Sequence, residues 1–253
     1  MEKIKYLIFI SIIILALFPF LKFDVLPENA RFKEVADSHF NEDVVIVFNS
    51  GGWGNTPPEK AKDLTPIVRG IEKALSEKGY KSEVVPYERT KNGFLAKING
   101  AKEMFGYFQS QSDELAVGLK IFLEKNPGKK IIMVGLSNGA SFIDKTMEKI
   151  DNFQNSVLAI EIGLPFWQKK MNSENILRLD NGDQDSLTKG DIKILLPTLL
   201  KAFPKWFLAK ISGTSLSFSM ALNFPEHKYS WESPGVGYSI DSFLDRKINI
   251  SKF

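Results

Sequence analysis

The chain has 253 residues, 43% hydrophobic and 25% charged, which is enough length and apolar content to bury a core without disulfides or a metal. It has no cysteine and only two histidines, which excludes a thiol nucleophile, a zinc–thiolate site and an iron–sulfur cluster. The net charge of +3 is spread along the chain, with no basic block of the kind that grips nucleic acid.

Residues 1–30 read as a unit of their own. Lys3 and Lys5 precede an uncharged run from Tyr6 to Leu21. As a helix that run would be ~24 Å long, a little short of the ~30 Å hydrocarbon core, and Lys22 could snorkel to complete the crossing. "FPFLKFDVLPENARF" offers no A-x-A-like cleavage site, so an uncleaved signal-anchor is favoured over a cleaved signal peptide and a secreted product. The lysines before the run would keep the N-terminus in the cytoplasm and put residues 31–253, a single domain, outside it.

Along that domain "EDVVIVFNSGG" (42–52) reads as a buried strand ending in glycines. A helix follows, with Thr65 as its cap, Pro66 at its first helical position, Ile67, Val68, Ile71 and Leu75 on one face, and Gly79 as its stop. "KSEVVPY" (81–87) is a second strand, and its Pro86 suits a sheet edge. Leu115, Leu119 and Phe122 mark a long helix stopped by "NPG" (126–128). "KKIIMVG" (129–135) is a third strand, and a helix after Gly139 carries Ile143, Met147 and Ile150. "SVLAIEIG" (156–163) and "NILRLD" (175–180) are further strands. Residues 191–211 alternate lysines with apolar residues at helical spacing. Pro197 and Pro204 should split that stretch into two or three short helices. It would pack on the sheet or, given its aromatic and basic residues, meet lipid. Val236, Ile240, Phe243 and Leu244 give a last amphipathic helix. Apolar strands alternating with helices predict an α/β domain, with a mostly parallel sheet covered by helices on both faces.

The chemistry-bearing stretch is "IIMVGLSNGASF" (131–142). A serine between two glycines, where a strand turns into a helix, is the pattern of a nucleophile elbow. The sharp turn strains the serine, and the glycines remove side chains that would collide there. The helix N-terminus that follows favours a developing oxyanion. In this arrangement the partners run serine, acid, histidine. His39 precedes the serine, while His227 follows it. "ILRLDNGDQDSL" supplies Asp180, Asp183 and Asp185 at a strand end, and turn residues are their bland reading.

With "GLSNG", "NGDQDSL" and "HKYSWESPGV" before a last helix, the sequence resembles the α/β-hydrolase superfamily over residues ~42–247. The resemblance implies a triad of Ser137, Asp185 and His227. Asp185 is preferred over the alternative acid Asp183 because Gly182 to Asp185 matches the G-x-x-D acid loop common in that superfamily. It implies an oxyanion hole from the backbone N–H groups of Asn138 and of Trp53 in "FNSGGWGN" (48–55). Two features depart from the pattern. Gly51-Gly52 replaces the usual His-Gly start of that loop, and the only candidate strand between acid and histidine is "SLSFSMAL" (215–222).

The activity implied is hydrolysis of a carboxylic, lipid-like ester through an acyl-enzyme, with no cofactor or metal. A thioesterase or peptidase would use the same residues, and a catalytically inactive, membrane-tethered binding module is the alternative from another class. A phosphate-binding reading of "NSGGWGN" is disfavoured, because it lacks G-K-[ST] and G-x-G-x-x-G endings. "LPFWQKKMNS" (164–173) is too short for a large lid. Phe166 and Trp167 are expected in the core, or else along an acyl pocket.

Overall fold

The computed structural model describes residues 27–91, 108–150, 155–180, 185–214 and 227–248, together with 96, 100, 103 and 106. In chain order the elements are α1 (Ala30–Asp37), β1 (Val44–Asn49), α2 (Thr65–Glu77), β2 (Ser82–Pro86), α3 (Gln109–Lys125), β3 (Lys130–Leu136), α4 (Asn138–Met147), β4 (Val157–Ile162), β5 (Ile176–Leu179), α5 (Ser186–Lys189), α6 (Ile192–Ile211) and α7 (Val236–Lys247). The five strands form one sheet in the order β2-β1-β3-β4-β5, and every neighbouring pair is parallel. The expected strand at 215–222 and the run Tyr6–Leu21 lie outside the described residues. Among those described, no helix is long and apolar enough to cross a membrane.

The continuous apolar runs of the central strands are explained by burial on both faces. β1, β3 and β4 are buried at nearly every position. Alternate residues point to opposite sides. Ile46, Phe48, Ile132, Val134 and Ile160 pack under α2 and α7. Val45, Val47, Met133 and Ala159 pack under α1, α3 and α4. Each fully buried Ile, Leu or Phe contributes about 1.5–3 kcal/mol, so both layers hold the sheet.

Pro86 sits at the end of the edge strand, paired with Phe48, where a missing N–H does least harm. α2 ends as expected. Tyr80 N–H donates to Leu75 O and Gly79 N–H to Ser76 O, with Gly79 at φ 80, which is a Schellman closure.

Three expectations need correction. Thr65 is not the cap of α2. Leu64 holds that position in helical geometry, so that Thr65 is the first helical residue and Pro66 the second, and the Thr65 hydroxyl donates to Pro58 O instead. Residues 192–211 form one helix with Pro197 and Pro204 inside it. Phe166 and Trp167 are not core: they are 44% and 46% exposed and meet edge to face at 5.1 Å.

In a sheet of this order the chain runs outward from β1 to β2 and then returns to β3 on the other side. Ligands of such sheets bind outside the carboxyl ends of the strands, in the crevice at that reversal. The segment after β1 and the segment after β3 both end there.

Candidate active site

β3 ends at Leu136, and Ser137 follows with φ 54 and ψ −117. A non-glycine residue in such a conformation costs about 1–3 kcal/mol and persists only where its surroundings impose it. The imposing contacts are visible. Ser137 N–H donates to Ile162 O at 2.8 Å, and Ser137 O accepts from Ser141 N–H at 3.0 Å to open α4. The Ser137 side chain makes no capping bond, so its hydroxyl is not committed to the helix.

The two glycines of the motif have separate steric reasons. A Cβ on Gly135 would lie 2.5 Å from the backbone of Gly139. A Cβ on Gly139 would lie 2.3 Å from Asn49 O at the end of β1. The elbow is therefore pressed against itself and against the central strand, and alanine fits at neither position.

Asp185 caps the short helix α5. It is fully buried, and its two oxygens have different work. Oδ1 accepts the Leu187 N–H at 2.8 Å. Oδ2 lies 2.6 Å from His227 Nδ1 and accepts the Tyr229 hydroxyl at 2.5 Å. Burial pushes the Asp185 carboxyl upward, but the hydrogen bonds from His227 and Tyr229, the nearby imidazole charge and the Leu187 N–H together hold it below the ordinary carboxylate range.

His227 Nε2, the other ring nitrogen, is buried and, among the described residues, has no hydrogen-bond partner. The Ser137 hydroxyl therefore does not bond to it in this structure. The two residues nevertheless sit at neighbouring strand ends. Ile162 O holds the Ser137 N–H, and a Cβ on the next residue, Gly163, would lie 2.6 Å from His227 Cε1 and 2.9 Å from Tyr229 Cε2. Gly163 has φ 59, so glycine there serves both the turn and the room for the imidazole.

The loop after β1 approaches the elbow from the other side. Gly54 N–H donates to Gly51 O at 3.1 Å, with Gly52 and Gly54 both at positive φ. Asn138 Nδ2 donates to Gly52 O at 3.3 Å, so the two segments expected to supply the oxyanion donors, around Trp53 and Asn138, are joined directly.

No protein-family model matches the chain, and no curated protein sequence matches it. Among solved structures it is similar to a Trichoderma reesei cutinase in complex with a C11Y4 phosphonate inhibitor. The two are 14% identical over 64% of this chain and 77% of that one, with a TM-score of 0.46.

The structure brings together Asp185 and His227, and sets His227 against Gly163 at the end of β4, the strand next to the one that leads into Ser137. It leaves His39 exposed before β1 and Asp180 exposed at the end of β5. Asp183 lies outside the described residues. Tyr229, Gly163 and Arg89, which lies behind the glycine loop, did not stand out in the sequence. Tyr229 had one signal, its place two residues after His227. Gly163 had only its position after a strand, and Arg89 had none.

Proposed function

We propose that the domain is a serine hydrolase of the α/β-hydrolase type, cleaving a carboxylic, lipid-like ester. Ser137 Oγ attacks the ester carbonyl while His227 Nε2 takes its proton. Asp185 keeps Nδ1 protonated and stabilises the imidazolium. The oxyanion is held by the N–H groups of Asn138, at the α4 N-terminus, and of Trp53, in the loop after β1. Collapse expels the alcohol, which takes the proton from His227, and water releases the acyl group by the same steps.

The observation that carries this reading is the 2.6 Å contact of buried Asp185 with His227 Nδ1, which leaves Nε2 without a partner among the described residues, with the imidazole against Gly163 at the end of the strand beside β3. That unpartnered nitrogen also supports the second reading, an inactive binding module in which serine and histidine never engage. Catalytic hydrogen bonds often tighten only when substrate is bound.

A fluorophosphonate probe separates the two. The hydrolase reading expects labelling of wild type and none of Ser137→Ala. A folded wild type that stays unlabelled and hydrolyses no ester or thioester supports the binding module. The run Tyr6–Leu21 supports attachment to a membrane with the domain outside the cytoplasm. Release of the intact chain by alkaline carbonate would count against that attachment.

A further inference from the structure

Arg89 is buried to 2% exposure directly after the edge strand, and the hydrolase chemistry above leaves it without a task. Its guanidinium lies between the two loops of the site. Nη2 donates to Ser50 O at 2.6 Å and to Gly52 O at 3.4 Å. Nη1 donates to Asn138 O at 3.2 Å. Nε is buried without a partner among the described residues. The rings of Phe108 and Phe142 face the charge at 5.1 and 5.7 Å.

The backbone of Arg89 joins the same contact. Its N–H donates to Gly54 O at 2.8 Å, and its own carbonyl is gripped by Gln111 Nε2 at 2.7 Å. The fit is close, since a Cβ on Gly54 would lie 2.4 Å from Arg89 Nε. A buried guanidinium normally meets a carboxylate, because an unpaired charge is costly in the interior. Among the described residues the acceptors are instead three carbonyls, two from the glycine loop and one from the residue after the elbow serine.

We infer that Arg89 is a positioning residue for the oxyanion hole, acting through the Gly52–Trp53 peptide and the elbow turn. In a trans peptide the N–H points opposite to the C=O. Holding Gly52 O toward Arg89 and Asn138 therefore turns the Trp53 N–H the other way, out of the loop. The same fork fixes the spacing between that loop and α4, on which the second donor sits. Its positive charge stands behind both segments, where it favours negative charge developing in front of them. Burial lowers the guanidinium pKa to about 9, so it is charged at neutral pH. The inference rests on the serine hydrolase reading.

The test is the full chain and its Arg89→Gln and Arg89→Lys variants on p-nitrophenyl butyrate, with active sites counted by fluorophosphonate labelling run to completion. Arg89→Gln should lose about 10²-fold in kcat per labelled site, the scale of one lost oxyanion donor, with KM within about twofold. Arg89→Lys keeps the charge without the fork and should fall between it and wild type. Should Arg89→Gln fail to fold, Arg89→Lys decides by the same split. Unchanged kcat per labelled site with a lowered melting temperature makes Arg89 merely structural and overturns the inference, as does loss confined to KM or failure of both variants to fold. A folded wild type that neither labels nor hydrolyses sinks the hydrolase reading itself. An active wild type with unaffected variants sinks only the role of Arg89.

Discussion

One carboxylate divides its two oxygens between different tasks, and the candidate site turns on that division. Asp185 gives Oδ1 to the backbone of α5 and Oδ2 to His227 and Tyr229. In Asp185→Asn the amide cannot accept from all of the donors that the carboxylate holds, and His227 loses the partner that fixes its tautomer. Its kcat should fall about 10³–10⁴-fold, while Tyr229→Phe, which removes one of two donors to Oδ2, should lose roughly tenfold at most. Steady-state kinetics on a short soluble ester check this, and a larger loss in Tyr229→Phe than in Asp185→Asn would show that the wrong group orients the histidine. The contact of Asp185 with His227 was legible because an elbow serine, an acid and a histidine are expected in a fixed chain order. Gly163 and Arg89 were not legible, since their roles depend on contacts with residues distant in the chain.

Elements were legible where burial forces a pattern and illegible where local chemistry has alternatives. The apolar strands and the stripes of α2, α3 and α7 needed only periodicity. The start of α2 did not follow its expected cap, because the Thr65 hydroxyl found Pro58 O. In α6 the prolines remove the bonds that Lys193 O and Leu200 O would accept. Both residues are exposed, so water can satisfy those carbonyls and the helix continues. The exposed side of α6 carries Ile194, Leu200 at 65% and Leu208 at 64%, with Lys193, Lys201 and Lys205 also exposed and no acidic residue from Ile192 to Ile211. Apolar and purely basic groups together suit an anionic lipid surface, and we propose that this side of the helix meets one. In a chain beginning at Pro27, Leu200→Ser with Leu208→Ser should weaken binding to phosphatidylglycerol vesicles at least about tenfold, since each buried leucine is worth ~1.5–3 kcal/mol. Melting temperature and turnover of the short ester should not change. Undiminished vesicle binding, or loss of folding, would return these leucines to an ordinary structural role.

For the whole molecule, alternation of strands and helices made a parallel sheet with two helical layers legible, but not the ion network that fastens one of its sides. Glu161 stands in the middle of an apolar strand, and nothing in "VLAIEI" says what it meets. In the fold Arg178 of β5 bonds Glu161 at 2.7 Å and Asp144 of α4 at 2.6 Å, and both carboxyls are fully buried. One guanidinium cannot neutralise two buried carboxylates. Burial, with the charge and hydrogen bond of Asp144, outweighs Arg178 and pushes Glu161 up to about 9 from its ordinary 4.5. The folded state then holds a proton through neutral pH that the unfolded chain releases near 4.5. Stability should therefore fall as pH rises between about 4.5 and 9, because the folded state binds more protons across that range. Glu161→Gln keeps the shape of the neutral carboxyl and has no proton to lose. Its melting temperature should match wild type near pH 5 and exceed it increasingly toward pH 9, measured by thermal unfolding across that range. A deficit that widens with pH would instead mean that Glu161 is ionised in the fold and that its bond to Arg178 is a true ion pair.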